Sequence, residues 1–504
     1  MLRIDGNSLT LEEAISVIFD KEEVALSPEA RIQIQRSRDV ILEALKKGNP
    51  IYGINTGFGR LSDVRIPDDH LDELQENLVL SHACGVGPHL PDEEVRAILL
   101  LKANTLAKGY SGVRVELVEL LISMLNKGVL PLIPEKGSVG ASGDLAPLAH
   151  LALVVLGRGE ARLQGERMAG KEALQRAGLL PLALRAKEGL AILNGTHFMT
   201  GVGVVNWHRA DILSKTADVV GALTAEAVLG TPVAFDERIQ SVRGYAAQQE
   251  SAARLRRMMQ NSPIRESHLN CSRVQDPYSI RCMPQVHGSV QEYLKIVADI
   301  LSVELNAATD NPLIFPEEGE VLSGGNFHGQ PVATAMDVLA LVMAQLANIS
   351  ERRIALMMDS SLSDLPPFLV KESGLNSGFM IAQVTAAGLA SENKVLSHPA
   401  SVDSIPTSAN KEDFVSMGAQ AATKARRAIE NAATVLGIEL LCACQSLDLR
   451  KPLEPGPAGK RILEFVREHV PFMERDRELH ADMMHAAEWI ITGQLIRLVE
   501  DLIE

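Results

Sequence analysis

From residue 200 to the C-terminus the chain repeats apolar residues at the three-and-four spacing of an α-helix over unusually long runs. They cover residues 289–306, 331–358, 378–395, 416–446 and 482–503, most of them beyond the ten to fourteen residues, roughly, of an average helix. Several are apolar over much of their circumference, so one amphipathic face against one core does not account for them, and a bundle shared between subunits does. Upstream, Ser27 followed by Pro28 predicts a helix start and Gly48 its stop. Further helices are expected over 71–80 and over 91–127, broken near Gly109 and Gly112. The Arg-rich stretch up to about residue 185 reads as a surface excursion. Strand signals are confined to residues 313–315 and 320–322. The fold class is therefore mostly α.

Composition narrows the function classes. A net charge of −15 argues against nucleic acid or an anionic membrane surface as partner. The N-terminus lacks the layout of a signal peptide, and apolar stretches such as 338–346 are too short to cross a bilayer. Cys84, Cys271, Cys282, Cys442 and Cys444 are scattered, and none forms a C-x-x-C pair. Reduced thiols in a cytoplasmic protein are expected. His480 and His485 lack the H-E-x-x-H pattern, so no metal site is expected.

The chemistry-bearing residues sit in loops. Residues 137–150 read G-S-V-G-A-S-G-D-L-A-P-L-A-H: a Gly-rich turn running straight into an apolar helix. The plain reading is a tight turn with Ser142 or Asp144 as helix cap. The reactive reading needs three residues in a row. The Gly143 nitrogen, with no side chain in the way, attacks the Ala141 carbonyl, and Ser142 loses its hydroxyl as water. The product is a methylidene-imidazolone, an electrophile that no ordinary side chain supplies. Helix N-termini would stabilise negative charge developing on it. Three glycines crowd residues 53–59 beside Tyr52, whose phenol is a candidate catalytic group on a loop. Residues 274–287 gather Gln275, Tyr278 and Arg281, residues 324–329 form another Gly-rich turn, and 398–417 is a long polar loop. Long irregular loops in a helical protein usually carry function.

Together these segments resemble the aromatic amino acid ammonia-lyases, those acting on histidine above all. The resemblance rests on Tyr52-Gly-Ile-Asn-Thr-Gly-Phe-Gly, Leu78-Val-Leu-Ser-His, Gly140-Ala-Ser-Gly-Asp-Leu-Ala-Pro-Leu, Leu193-Asn-Gly-Thr, Gln275-Asp-Pro-Tyr-Ser-Ile-Arg-Cys, Ser323-Gly-Gly-Asn-Phe-His and Ser408-Ala-Asn-Lys-Glu-Asp. They occur in the family's order and span nearly the whole chain. The resemblance implies an ammonia-lyase/fumarase-like fold, with residues 1–200 an N-terminal domain carrying the electrophile loop and residues 201–504 a long-helix bundle at the core of the oligomer. It implies a 4-methylidene-imidazol-5-one formed from Ala141, Ser142 and Gly143, with no metal or nucleotide. It also implies a cytoplasmic homotetramer whose active sites draw loops from three subunits.

The implied reaction is non-oxidative loss of ammonia from an L-amino acid. Tyr52 matches the family's usual base and Tyr278 is a second phenol; with an ordinary pKa near 10, either must be lowered by its site to act at neutral pH. Arg281 is the expected anchor for the substrate carboxylate through paired hydrogen bonds. Asn194 and Gln275 would complete the polar contacts, and Phe327 would wall the pocket, flanked by Asn326 and His328. His82 matches the position that touches the substrate ring and suits an imidazole or a phenol. Glu412 would pair with an imidazole N–H and would be left desolvated against a bare phenyl. That favours L-histidine, with trans-urocanate as product; the alternative is a tyrosine or phenylalanine ammonia-lyase, or an aromatic aminomutase. Three positions depart from the usual histidine pattern: His197, Lys411 and Phe414.

Overall fold

The computed structural model describes residues 1–48, 50–57, 64–269 and 274–503. Phe58 and Gly59 of the Tyr52 segment, and Cys271, lie outside the described residues. The chain forms two compact units. One comprises residues 1–206, 298–337 and 399–423, the other residues 207–297, 338–398 and 424–504. The sequence reading placed one cut after residue 200. The first unit also takes in two later segments, which a single cut in sequence has no means of separating.

In the first unit the helix Pro28–Lys47 starts and stops where expected. Ser27 accepts from the Ala30 amide, and Gly48 ends the helix in the left-handed conformation. The helix Asp92–Ala107 is buried from Glu94 to Ala107, on every face, which places it at the centre of this unit. After the predicted break the chain resumes as Val115–Lys127. The strands Leu313–Phe315 and Glu320–Leu322 pair antiparallel, as their sequence indicated.

Other strands were not foreseen. Leu2–Ile4 pairs in parallel with Val24–Leu26. Leu130–Pro131, Glu160–Leu163 and Glu166–Ala169 form an antiparallel sheet. The last two make a hairpin inside the Arg-rich excursion, turning through Gln164 and Gly165, both at positive φ. These strands have two to four residues each, too few for an alternating pattern to show in sequence.

The second unit is built from long helices. Met380–Leu396 and the greater parts of Met283–Glu304, Gln330–Met358 and Gly418–Leu449 fill it. The run 482–503 is two helices, His480–Ile491 and Gln494–Ile503, separated at Gly493 with φ +74°. The apolar repeat continues across the break and hides it.

Gln330–Met358 and Gly418–Leu449 are long and apolar enough to span a membrane by length and composition, which corrects the expectation that every apolar stretch is too short. Their apolar windows are 67% and 83% buried inside the fold, so the protein interior already takes up most of that surface. Within the second unit's core lies an ion cluster. Arg353 binds Glu439 through two hydrogen bonds of 2.6 and 2.8 Å and also contacts His287, whose other ring nitrogen meets Asp218 at 2.8 Å.

Candidate active site

The turn at residues 140–143 is strained and braced. Ser142 sits at φ +52°, a left-handed conformation that costs a residue with a side chain on the order of 1–2 kcal/mol. The Gly143 amide closes the turn on the Gly140 carbonyl at 3.3 Å. A strand segment around Gly195 lies across it: the Gly195 amide donates to the Ser142 carbonyl at 3.2 Å and the Asp144 amide donates to the Gly195 carbonyl at 2.8 Å. A Cβ on Gly143 would stand 2.1 Å from that carbonyl oxygen, so only glycine fits between the two bonds. Ser138 adds a side-chain contact to the Gly143 carbonyl at 3.3 Å. A small, compressed tripeptide with an unhindered glycine nitrogen is what internal ring closure requires, and Ala141, Ser142 and Gly143 fit the group.

Asp144 precedes the predicted helix, Leu145–Val155, without capping it through its side chain. Its carboxyl instead reaches the Met199 amide at 2.9 Å, in the first turn of the helix His197–Ala227. Burial pushes this carboxyl up to about 7, against the hydrogen bonds it accepts.

A cavity of about 690 Å³ opens over the turn, lined by Tyr52, His82, Ser142, Asn194 and Glu412 among others. Its apolar wall includes Leu74, Leu78, Leu145 and Leu190. Glu412 accepts from the Ser142 hydroxyl at 3.3 Å and from the Thr407 hydroxyl at 2.8 Å. The loop that carries it holds Ser408, Ala409 and Asn410 at φ of +50°, +52° and +65°, three consecutive left-handed residues closed by the Thr407–Glu412 bridge. Such strain persists only where the surroundings enforce it and clusters at functional sites.

His82 ends the helix Leu71–His82, and its Nδ1 lies 2.8 Å from the Leu78 carbonyl. A carbonyl only accepts, so Nδ1 carries the proton and Nε2 is the acceptor in the neutral ring. Burial holds the imidazole below its ordinary pKa, more than the Leu78 hydrogen bond and Glu412 raise it.

Asn194 is oriented from below. Its side-chain amide donates to Asp310 Oδ1 at 3.1 Å and to the Asn311 carbonyl at 3.2 Å. Its Oδ1 is buried without a hydrogen-bond partner on a residue of the cavity wall.

Five candidates, Tyr52, His82, Ser142, Asn194 and Glu412, thus share one cavity. Phe327 is half-buried in the same unit, outside the described lining; its neighbour His328 stacks on Phe414, ring centres 5.9 Å apart. Gln275, Tyr278 and Arg281 belong to the second unit. There Gln275 is exposed, Tyr278 is 70% exposed, and the Arg281 guanidinium lies 4.6 Å from the Tyr278 ring centre. None of the departing positions His197, Lys411 and Phe414 is among the described residues lining the cavity. Sequence reasoning missed Lys102, Lys187 and Asp310, which lie buried behind Asn194. Lys102 is a lone charge in an apolar helix while Lys187 and Asp310 lie outside the helices, so no short motif links the three.

The strained Ala-Ser-Gly turn under a mostly apolar cavity with a few polar groups, on a helical fold, agrees with the comparisons with known proteins. The aromatic amino acid lyase family model matches residues 9–468, and the chain belongs to that family. Within it, histidine ammonia-lyase from Myxococcus xanthus is 54% identical over 98% of this chain and 98% of its own length. Among solved structures, histidine ammonia-lyase from Trypanosoma cruzi superposes with a TM-score of 0.91 at 42% identity, covering 100% of this chain and 96% of that one. The tyrosine aminomutase from Streptomyces globisporus reaches 0.93 at 37% identity, covering 99% and 98%.

Proposed function

We propose that this chain is a cytoplasmic ammonia-lyase that converts L-histidine to trans-urocanate and ammonia. The observation that carries the choice of substrate is Glu412, a carboxylate hydrogen-bonded to Ser142 in a cavity shared with an acceptor nitrogen of His82. Both groups accept hydrogen bonds, and a substrate imidazole offers an N–H to one of them as the neutral ring and to both as the imidazolium. A phenyl ring offers none, and burying Glu412 against it leaves the carboxylate unsatisfied. Histidine ammonia-lyases among the similar proteins support the same reading.

The methylidene-imidazolone of Ala141, Ser142 and Gly143 would supply an electrophile that converts the substrate amine into a better leaving group. The protein's other residues do the rest. Asn194 Oδ1 accepts from the substrate ammonium and orients it. Tyr52 in the cavity wall takes the β-proton. The electron pair of that C–H bond becomes the new double bond, the carbon–nitrogen bond breaks, and nitrogen leaves as ammonia. The helix Leu145–Val155 starts two residues beyond Gly143 and directs its N-terminal amides towards charge developing at the turn.

The described lining of the cavity includes no lysine or arginine to hold the substrate carboxylate. Arg281, with Tyr278 and Gln275, would serve from a neighbouring subunit of a homotetramer. Exposed apolar side chains support such association: Ile381, Val384 and Val395 on one helix, Tyr293 and Ile296 on another.

The deciding experiment is ultraviolet absorbance of the purified protein with L-histidine, L-tyrosine and L-phenylalanine in parallel. Urocanate from histidine alone is expected. Coumarate or cinnamate would keep the electrophile and reassign the substrate. Ser142→Ala is expected to fold and assemble but to lose nearly all turnover; near wild-type rates would remove the electrophile from the scheme.

A further inference from the structure

Two lysines and an aspartate stand buried behind the turn, and the scheme above uses none of them. Lys102 is fully buried in the central helix of the first unit, and its ammonium donates to the Ala191 carbonyl at 2.9 Å and the Asn194 carbonyl at 2.7 Å. Lys187, also fully buried, pairs with Asp310 at 2.6 Å, and Asp310 holds the Asn194 side-chain amide. Asn194 is thereby gripped at its carbonyl by Lys102 and at its side chain by Asp310. The next residue, Gly195, makes the two hydrogen bonds that flank Gly143. Gly195 is at φ +108° and has little stiffness of its own. His197 packs beneath it, where a Cβ on Gly195 would come within 2.5 Å of the ring.

We propose that Lys102 and the Lys187–Asp310 pair are positioning residues that hold the Asn194–Gly195 segment as a clamp across Ala141–Ser142–Gly143 and so drive ring closure. This rests on the electrophile reading given above. In closure the Gly143 nitrogen bonds to the Ala141 carbonyl carbon. The Ala141 oxygen leaves as water with the amide protons of Ser142 and Gly143. Ser142 then loses its hydroxyl with its α-proton as a second water, and no oxidant or reductant is consumed. The nitrogen must be pressed onto a carbonyl that ordinary backbone keeps at van der Waals distance, so the step depends on how rigidly the turn is held. A buried lysine, its pKa lowered to about 7 by burial, is a poor device for stability, since an apolar side chain of the same size packs as well without the desolvation cost. Its value here is directional: it fixes two carbonyls at once. Asp310 does the same for the amide, and Lys187 holds the Asp310 carboxyl below its usual range against the effect of burial.

The test is the intact mass of the full-length protein. Wild type is expected two waters below the mass of its sequence. Lys102→Met keeps the length of the side chain and removes the donor. It is expected to keep its circular dichroism and assembly while the closed fraction falls at least tenfold. A folded Lys102→Met protein with the full two-water deficit would overturn the proposal. Should Lys102→Met fail to fold, Asp310→Asn takes the same measurement, and full closure in that variant is equally fatal. Loss of fold in both would reduce the cluster to a stability role and also overturn the proposal. A wild-type protein lacking the deficit would instead sink the electrophile reading, a failure separate from that of the clamp.

Discussion

Glu412 carries the choice of substrate, and its environment makes that testable. It already accepts from Ser142 and Thr407, and a charged hydrogen bond to a substrate N–H is worth about 1.5–3 kcal/mol. Glu412→Gln is therefore expected to lower kcat/KM for L-histidine by about ten- to a hundredfold with assembly unchanged; an unaltered kcat/KM would take the carboxylate out of recognition. His82 offers a second test. Burial lowers its pKa from the ordinary value of 6.5, which favours the neutral ring with Nε2 an acceptor. An NMR titration of its ring proton, assigned by its absence in His82→Gln, should have a midpoint below 6.5. A midpoint at or above that value would mean the ring is solvated and the acceptor role lapses. Both residues were legible in sequence as candidates. That they face one cavity was not, since residues 82, 142 and 412 are brought together only by folding.

At the scale of elements, local signals were reliable where the backbone alone sets them. Ser27, Pro28 and Gly48 bound their helix as read, because caps and left-handed stops act within one turn. The break at Gly493 and the short strands outside residues 313–322 were missed, the one masked by a continuing apolar repeat and the others carrying no pattern that set them apart. Elements also carry pH sensitivity. Glu226, in the last turn of the helix His197–Ala227, accepts from the Gly456 amide at 2.9 Å, and burial pushes its carboxyl up to about 7. Its native pKa lies above the unfolded value, so its contribution to stability is complete below about pH 4.5 and is lost as pH rises through about 7. Glu226→Gln should remove that loss. Thermal melts at pH 5 and pH 8 are expected to show wild type falling relative to the variant at the higher pH, and parallel shifts in the two proteins would refute it. In the core of the second unit, Arg353→Met would strand Glu439 without its cation and is expected to cost about 3–5 kcal/mol in denaturant unfolding; a loss under 1 kcal/mol would show that the cluster relaxes or hydrates.

At the scale of the whole molecule, the cavity over Ser142 and the residues expected to anchor the carboxylate lie in different compact units. If neighbouring subunits complete the site, dilution until the tetramer dissociates should abolish turnover and reconcentration restore it. Sedimentation and assay on the same samples check this, and a fully active monomer would refute it. The sequence by itself determined the helical class, the approximate limits of several helices and the family, because periodicity, caps and motif order are properties of short stretches. Only the tertiary structure decided that the first unit gathers segments from three parts of the chain, that Asp144 binds the start of a later helix and not its own, and that Lys102, Lys187 and Asp310 converge behind Asn194. Those facts depend on burial and on hydrogen bonds between residues roughly fifty to more than a hundred positions apart, and no local pattern encodes a distance between distant parts of a chain.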